Sequence, residues 1–233
     1  MDDSIGYRLD DGVAVVTLDD GKANALSVDA LARLHEALDR AEGEARAVVL
    51  AGREGRFCAG FDLAAMTGST ESMQRLVSDG ARFLMRLYGL GLPTVAAATG
   101  HAIAAGALLL LVCDHRVGAE GTAKIGLNEV GIGMALPVFA VELARARLVP
   151  AQFGAATMGA QIYDPAGAVT AGYLDRVVPT GDVIGVAVAE AIRLGGLRSG
   201  AYAHTKERAR SSMIDHVLAT LDEDIAAIGP PTG

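Results

Sequence analysis

In a chain of 233 residues, two short stretches carry the residue types that chemistry needs. One is Gly100-His-Ala-Ile-Ala-Ala-Gly106, where an apolar strand beginning at Thr94 runs into a small-residue turn that opens into a strongly apolar helix. Residues as small as Ala104, Ala105 and Gly106 let a ligand approach the backbone, and the first turn of a helix presents N–H groups with no partner inside the helix. An anion or a developing oxyanion can fill that gap. The other stretch is Cys58-Ala-Gly-Phe61, a turn able to offer a second N–H from the opposite side. Glu129 follows downstream, after Ile125-Gly-Leu-Asn128 and before a glycine-rich loop. A lone glutamate is usually solvated, but apolar and small neighbours favour a half-buried carboxyl with a raised pKa, suited to proton transfer. Two main-chain donors, one carboxylate and no other obvious nucleophile point to enolate chemistry on a thioester.

The elements that must position these groups follow from periodicity. Gly12–Leu18 reads as a first strand and residues 19–24 as the turn that ends it. Ser27 reads as an N-cap, with Leu31, Leu34, Leu38 and Ala41 at helical spacing and Gly43 as the stop. A strand at Ala47–Ala51 leads to the 57–63 turn. Residues Ala64–Ser72 read as a mobile loop over the ligand, and Met73–Tyr88 as a helix. Pro93 launches the central strand, and the apolar run Ala102–Cys113 reads as a buried core helix too short to span a bilayer. Further on come a helix bearing Phe139, Val141, Leu143 and Leu148, a last strand-like segment at Tyr173–Pro179, and a mostly helical tail from Asp182. In that tail Ile214, Val217, Leu218, Leu221, Ile225 and Ile228 form a stripe. Alternating strands and helices point to an α/β fold in β-β-α units, one domain with a helical extension.

Bulk composition narrows the partners. A chain of this length can bury roughly 70% or more of its unfolded surface without a metal or disulfide. Cys58 and Cys113 are the only cysteines, in no metal-ligand spacing, which fits a reduced, cytoplasmic setting. Residues 1–8 lack the basic start and apolar run of a signal peptide. A net charge of −8 without a basic aromatic cluster argues against nucleic acid as partner, and no segment reads as membrane-inserting.

Four segments in this order resemble the crotonase, or enoyl-CoA hydratase/isomerase, superfamily: Phe57-Cys-Ala-Gly-Phe-Asp-Leu63, Gly100–Gly106, Cys113-Asp-His-Arg-Val117 and Ile125-Gly-Leu-Asn-Glu129. The resemblance spans about Val13 to Pro179. It implies the crotonase (ClpP-like) spiral of β-β-α units, with residues 1–180 as the acyl-CoA-binding and catalytic core. Residues 181–233 would be a helical C-terminal extension that packs in a homotrimer or hexamer; by periodicity alone they could equally cover their own domain. The resemblance also implies an oxyanion hole made by the N–H groups of Phe61 and Ala105. Many relatives carry glycine where this chain has Ala105. Lys22, Ala23, Asn24, Ala59, Gly60, Asp62, Leu63, Leu108 and Met134 would line the coenzyme and substrate path, with no metal and no cofactor beyond the coenzyme A of the substrate. Lys22, or Lys206 or Arg208 in the tail, could neutralise a phosphate; a solvated turn lysine is the plain alternative for Lys22.

Leu108 is the informative departure. In the superfamily's hydratases a second glutamate stands there, three residues beyond the oxyanion position, and two carboxylates together activate a water. One carboxylate beside a dry wall suits the removal of a proton from C2 of a 3-enoyl thioester and its return at C4. Asn128-Glu129 with Leu108 resembles the Δ3,Δ2-enoyl-CoA isomerase branch, whose motif also reads Ile-Gly-Leu-Asn-Glu, and Met134-Ala-Leu-Pro137 replaces the hydratases' Pro-Gly-x-Gly-Gly. An enoyl-CoA hydratase and a non-catalytic acyl-CoA-binding protein are the alternatives. A ClpP-like peptidase is remote, because no Ser/His/Asp constellation is legible. Glu142 reads as a solvated helix residue, Cys58 as lacking a histidine partner, His101 as a packed or pocket-shaping residue, and Asp114 with Arg116 as a structural pair or helix-end feature.

Overall fold

A computed structural model describes residues 4–228. In chain order the elements are β1 (Ile5–Asp10), β2 (Val13–Leu18), α1 (Val28–Glu44), β3 (Ala47–Gly52), β4 (Gly55–Cys58), α2 (Leu63–Met66), α3 (Thr70–Gly89), β5 (Thr94–Ala98), β6 (Gly100–Ile103) and α4 (Ala105–Val112). They continue with β7 (His115–Ala119), β8 (Ile125–Gly126), α5 (Val138–Arg147), α6 (Phe153–Ala156), α7 (Pro165–Ala171), β9 (Arg176–Val178), α8 (Val183–Gly195) and α9 (Ser199–Ala227).

The strands form two sheets, a large one ordered β1-β2-β3-β5-β7-β9 and a small one ordered β4-β6-β8. Only the β1–β2 pair is antiparallel; the others named here run parallel. The chain feeds the sheets alternately: β3 then β4, β5 then β6, β7 then β8. Each repeat therefore adds one strand to the large sheet and one to the small one, which is the spiral of β-β-α units expected of an α/β chain of this pattern.

Period-2 alternation divides the core. Val13, Val15, Val49, Val95 and Val117 face α8, which buries Val183, Ala187 and Ala191 against them. Ala14, Val16, Val48, Leu50 and Ala96 point to the other side, where α1, α3 and α4 pack. The α4 helix is buried along its whole length, so its sequence, Ala-Gly-Ala-Leu-Leu-Leu-Leu-Val, needs no polar face. The stripe of α9 buries Val217, Leu221 and Ile225 and packs on α3 and α5 of its own chain. Leu218 stays exposed, and residues 229–233 of the expected extension lie outside the described residues. Among the described residues no helix is long and apolar enough to cross a membrane.

Three expectations need correction. Gly12–Leu18 contains the second strand, not the first: Ile5–Asp10 precedes it as an edge strand whose exposed, polar residues give little apolar signal. Residues Ala64–Ser72 are largely helical, because Asp62 caps α2 through a bond from the Ala65 N–H (3.0 Å) and Ser69 caps α3 through one from the Ser72 N–H (3.1 Å). The run Ala102–Cys113 is not one helix; β6 continues to Ile103 and α4 starts at Ala105.

Asp114 and Arg116 do not pair with each other. Arg116 binds Asp175 at 2.6 Å, while Asp114 takes Lys206 and Arg210 of α9, each at 2.8 Å. Lys206 is therefore buried in an ion cluster and not available to a phosphate.

Candidate active site

The three chemistry-bearing turns leave the C-terminal ends of the three strands of the small sheet. The 58–61 turn follows β4, the Ala104 turn follows β6, and Asn128-Glu129 follows β8. Neighbouring parallel strands thus bring together residues up to 70 positions apart, as ligand sites in parallel sheets generally form at strand carboxyl ends.

Close approach depends on Gly106. A Cβ built there would stand 2.0 Å from the Cys58 carbonyl oxygen, so any side chain would drive the two turns apart. The turns face each other: the Cβ direction of Gly60 points to within 3.6 Å of the Ala105 nitrogen. The hydrogen bonds among the described residues leave the backbone N–H groups of Phe61 and Ala105 without an acceptor. Phe61 is fixed at both ends, since Leu26 bridges its flanks through Leu26 N–H to Gly60 O (2.8 Å) and Asp62 N–H to Leu26 O (2.9 Å). Its ring fills a notch on α3 at Gly80, where an added Cβ would lie 2.3 Å from the ring.

Ala104 holds a backbone conformation that favours glycine, with φ +53° and ψ −123°. Its N–H donates to Gly126 O at 3.0 Å, which ties the turn to the strand leading to Glu129. Strain of this kind costs about 1–3 kcal/mol. Ala104→Gly is expected to raise stability by about 1 kcal/mol, net of glycine's greater chain entropy when unfolded, as read from the urea midpoint.

Glu129 is half-buried and lines the cavity. Its carbonyl accepts from the N–H groups of Ile132 (3.0 Å) and Met134 (2.9 Å), which closes a tight turn and fixes where the side chain starts. Burial pushes its pKa up to about 7, against a smaller opposing pull from its own N–H and that of Asn128. Its Oε2 is buried and has no hydrogen-bond partner.

A cavity of about 710 Å³ runs past these groups. Of the expected site residues, Glu129, Phe61, Lys22, Ala23, Ala59, Asp62, Leu63, Leu108 and Met134 line it. Asn24, Gly60 and Ala105 do not. Asn24 is a buried scaffold residue whose Nδ2 donates to Leu18 O (2.7 Å), Arg56 O (3.1 Å) and Phe57 O (3.2 Å). Gly60 and Ala105 are buried in the two turns, Ala105 with its unpaired N–H. Leu108 is 2% exposed on α4 and forms part of the wall that Glu129 shares.

Sequence reasoning missed the remote walls. Met66 and Val77 enter from α2 and α3, Phe139 and Ala140 from α5, Ile228 from just beyond α9, and Ser4 and Asp20 at another part of the lining. Three carboxylates line the cavity, and two are already engaged: Asp20 accepts from the N–H groups of Lys22 (2.7 Å) and Asn24 (2.9 Å), and Asp62 caps α2. Glu142 does not line it and pairs with Arg145 at 3.3 Å. His101 accepts from the Lys124 N–H at 2.8 Å, outside the lining. Cys58 is fully buried, with its thiol pushed up to about 12 by that burial. Among the described residues no group of three or more His, Cys, Asp or Glu is placed to hold a metal ion.

Comparison with known proteins agrees with this geometry. The family model for enoyl-CoA hydratase/isomerase matches residues 8–226. A solved enoyl-CoA hydratase/isomerase family protein from Pseudomonas syringae superposes with a TM-score of 0.94 at 39% identity, covering 97% of this chain and 99% of that one. An enoyl-CoA hydratase from Mycobacterium ulcerans gives a TM-score of 0.91 at 36% identity, covering 96% and 98%. Human mitochondrial enoyl-CoA delta isomerase 1 is 29% identical over 219 residues, 92% of this chain and 72% of that protein. With three bacterial relatives named as enoyl-CoA hydratases, the match spans about half of their length. A spiral of two sheets, a cavity at the small sheet's carboxyl edge and a family match over nearly the whole chain lead to one conclusion: this chain belongs to the enoyl-CoA hydratase/isomerase family.

Proposed function

We propose that the protein is a Δ3,Δ2-enoyl-CoA isomerase with Glu129 as its single acid/base. The observation that carries this reading is the buried, apolar Leu108 in the wall of a cavity whose other two carboxylates are engaged by backbone N–H groups. The thioester carbonyl of a 3-enoyl-CoA would accept from the N–H groups of Phe61 and Ala105, which acidifies C2. Glu129 takes the C2 proton, the electron pair spreads over a dienolate whose oxygen the two donors stabilise, and the same carboxyl returns the proton at C4. The double bond moves from C3–C4 to C2–C3, and no atom is gained or lost. One such donor is typically worth about 3–4 kcal/mol of barrier lowering. A base that must also act as an acid works best with a pKa near the working pH, which burial gives Glu129.

The pH dependence has a definite sign. Only ionised Glu129 can accept the C2 proton, so kcat/KM should rise through about pH 7 and level off above it. Below that point it should fall about tenfold per pH unit. The reading itself is tested by incubating purified protein with a 3-enoyl-CoA and with crotonyl-CoA. Conversion of the first to the trans-2-enoyl product, with slow or absent hydration of the second, is the expected result. Rapid water addition to crotonyl-CoA would overturn it in favour of a hydratase, and tight acyl-CoA binding without turnover of either would mark a binding protein.

A further inference from the structure

Two unpaired polar groups are buried side by side, and only one of them lines the cavity. Glu129 presents Oε2 without a hydrogen-bond partner, and Tyr173, 0% exposed, presents its hydroxyl in the same condition. The tyrosine is close enough to feel the glutamate's charge: burial first, then Tyr163 and Glu129, hold its hydroxyl well above the usual range. Leu127 N–H is the nearby backbone donor, without making a hydrogen bond of normal geometry. Tyr173 lies outside the cavity lining, so it approaches Glu129 from behind, away from the substrate.

The placement is held firmly. Tyr173 N–H donates to Ala168 O at 2.8 Å, at the end of α7, and Gly172 O accepts from Arg116 at 2.8 Å. Its ring lies 5.9 Å from that of Tyr163, whose backbone bridges Ile125 in β8, the strand that delivers Glu129. A phenylalanine or leucine would fill this space without burying an unpaired hydroxyl, and such a hydroxyl costs about 1–3 kcal/mol. A donor buried without an acceptor beside an acceptor buried without a donor is a pair waiting for one proton state.

We propose that Tyr173 is a positioning residue for Glu129: its hydroxyl donates a hydrogen bond to the carboxylate, from the side opposite the substrate, when that carboxylate is ionised. The bond would steady the charged form while leaving the other oxygen free to face C2 and C4. The remaining groups nearby do not compete. Tyr163 already donates to Gln152 Oε1 at 3.3 Å, and Arg116 and Asp175 are paired with each other at 2.6 Å. The unpaired oxygen of Asn128 is an acceptor and cannot satisfy a carboxylate. The proposal rests on Glu129 being the base, and its test separates the two ideas.

The test follows the carboxyl C=O infrared band of Glu129 against pH in the full-length protein, the band being identified by its loss in Glu129→Gln. Losing a hydrogen bond to the charged form raises a carboxyl's pKa, so Tyr173→Phe is expected to move the midpoint up by about one pH unit. The kcat/KM midpoint should move by the same amount, with thermal stability kept or raised. An unmoved midpoint, or one moved down, overturns the proposal. Failure of Tyr173→Phe to fold overturns it too, since a hydroxyl needed only by Glu129 is dispensable for folding. If the infrared midpoint shifts while neither enoyl-CoA is turned over, the positioning role stands and the isomerase reading falls.

Discussion

Glu129→Gln should lower kcat with a 3-enoyl-CoA by about 10³-fold or more, which is about 4 kcal/mol of barrier, while acyl-CoA affinity changes little. The amide keeps the shape of the carboxyl but cannot accept the C2 proton. Folding should not suffer. The fold holds the Glu129 carboxyl at a pKa of about 7, raised chiefly by burial, so its protonated form is the better tolerated one. The stability this gives is fully present below the ordinary glutamate range and is lost as pH rises through about 7. Glutamine carries no charge at any pH, so the variant should match the wild type in acid and equal or exceed it above pH 7. Isothermal titration with a non-reacting acyl-CoA, stopped-time assays and thermal melts at two pH values check the three parts. A variant that retains more than a tenth of wild-type turnover would remove Glu129 from the chemistry, and one that melts far lower at pH 8 would show that its ionised carboxylate supports the fold.

The site's near side was legible because each part of it is a local solution to a local problem. Small residues at 104–106 mark a turn that another backbone must approach, and the Cβ of Gly106 would indeed meet Cys58. Leu108 reads as apolar in any context, and α4 is buried all round. The far side was not legible because long-range folding supplies it. Ile228 reaches the cavity from a tail that turns back over α3 and α5, and a 3.6-residue stripe says only that a face is covered, not by what. The same limit explains Asp114 and Arg116, which alternate along one short segment and look like partners. Each is claimed instead by a charge at least 59 positions away, Asp175 for Arg116 and Lys206 or Arg210 for Asp114. Strand β1 went unread for a different reason. As an exposed edge its apolar residues are few, and edge strands are kept polar to discourage pairing with other chains.

The charge cluster at Asp114 should be the largest single support of the C-terminal helix, and Asp114→Ala is expected to lower stability by about 3–5 kcal/mol. Asp114 accepts from the Thr94 N–H (2.8 Å), the Tyr202 hydroxyl (2.8 Å) and Lys206 (2.8 Å), and pairs with Arg210 (2.8 Å). Residues 202, 206 and 210 stand four apart on one face of α9, so one carboxylate fastens more than two turns of that helix to the β5–β7 region. The side chains of Asp114, Lys206 and Arg210 are each no more than 10% exposed. Alanine would leave two cations buried, holding only the carbonyls of Leu92 (3.1 Å) and Tyr88 (2.7 Å). For a chain of this size the loss corresponds to a fall in Tm of roughly 10 °C. The pH signature distinguishes the ion cluster from simple packing. Burial alone would raise the Asp114 pKa, but Lys206 and Arg210 outweigh it and hold it below the usual carboxylate range. Its stabilisation is therefore full at neutral pH and disappears only as pH falls through that depressed value. Urea midpoints of wild type and Asp114→Ala should differ by a constant amount from pH 8 to pH 5 and converge only in stronger acid. Equal midpoints at pH 7 would show that α9 is held by its apolar stripe alone, through Val217, Leu221 and Ile225, and that the wall Ile228 gives the cavity does not depend on this cluster.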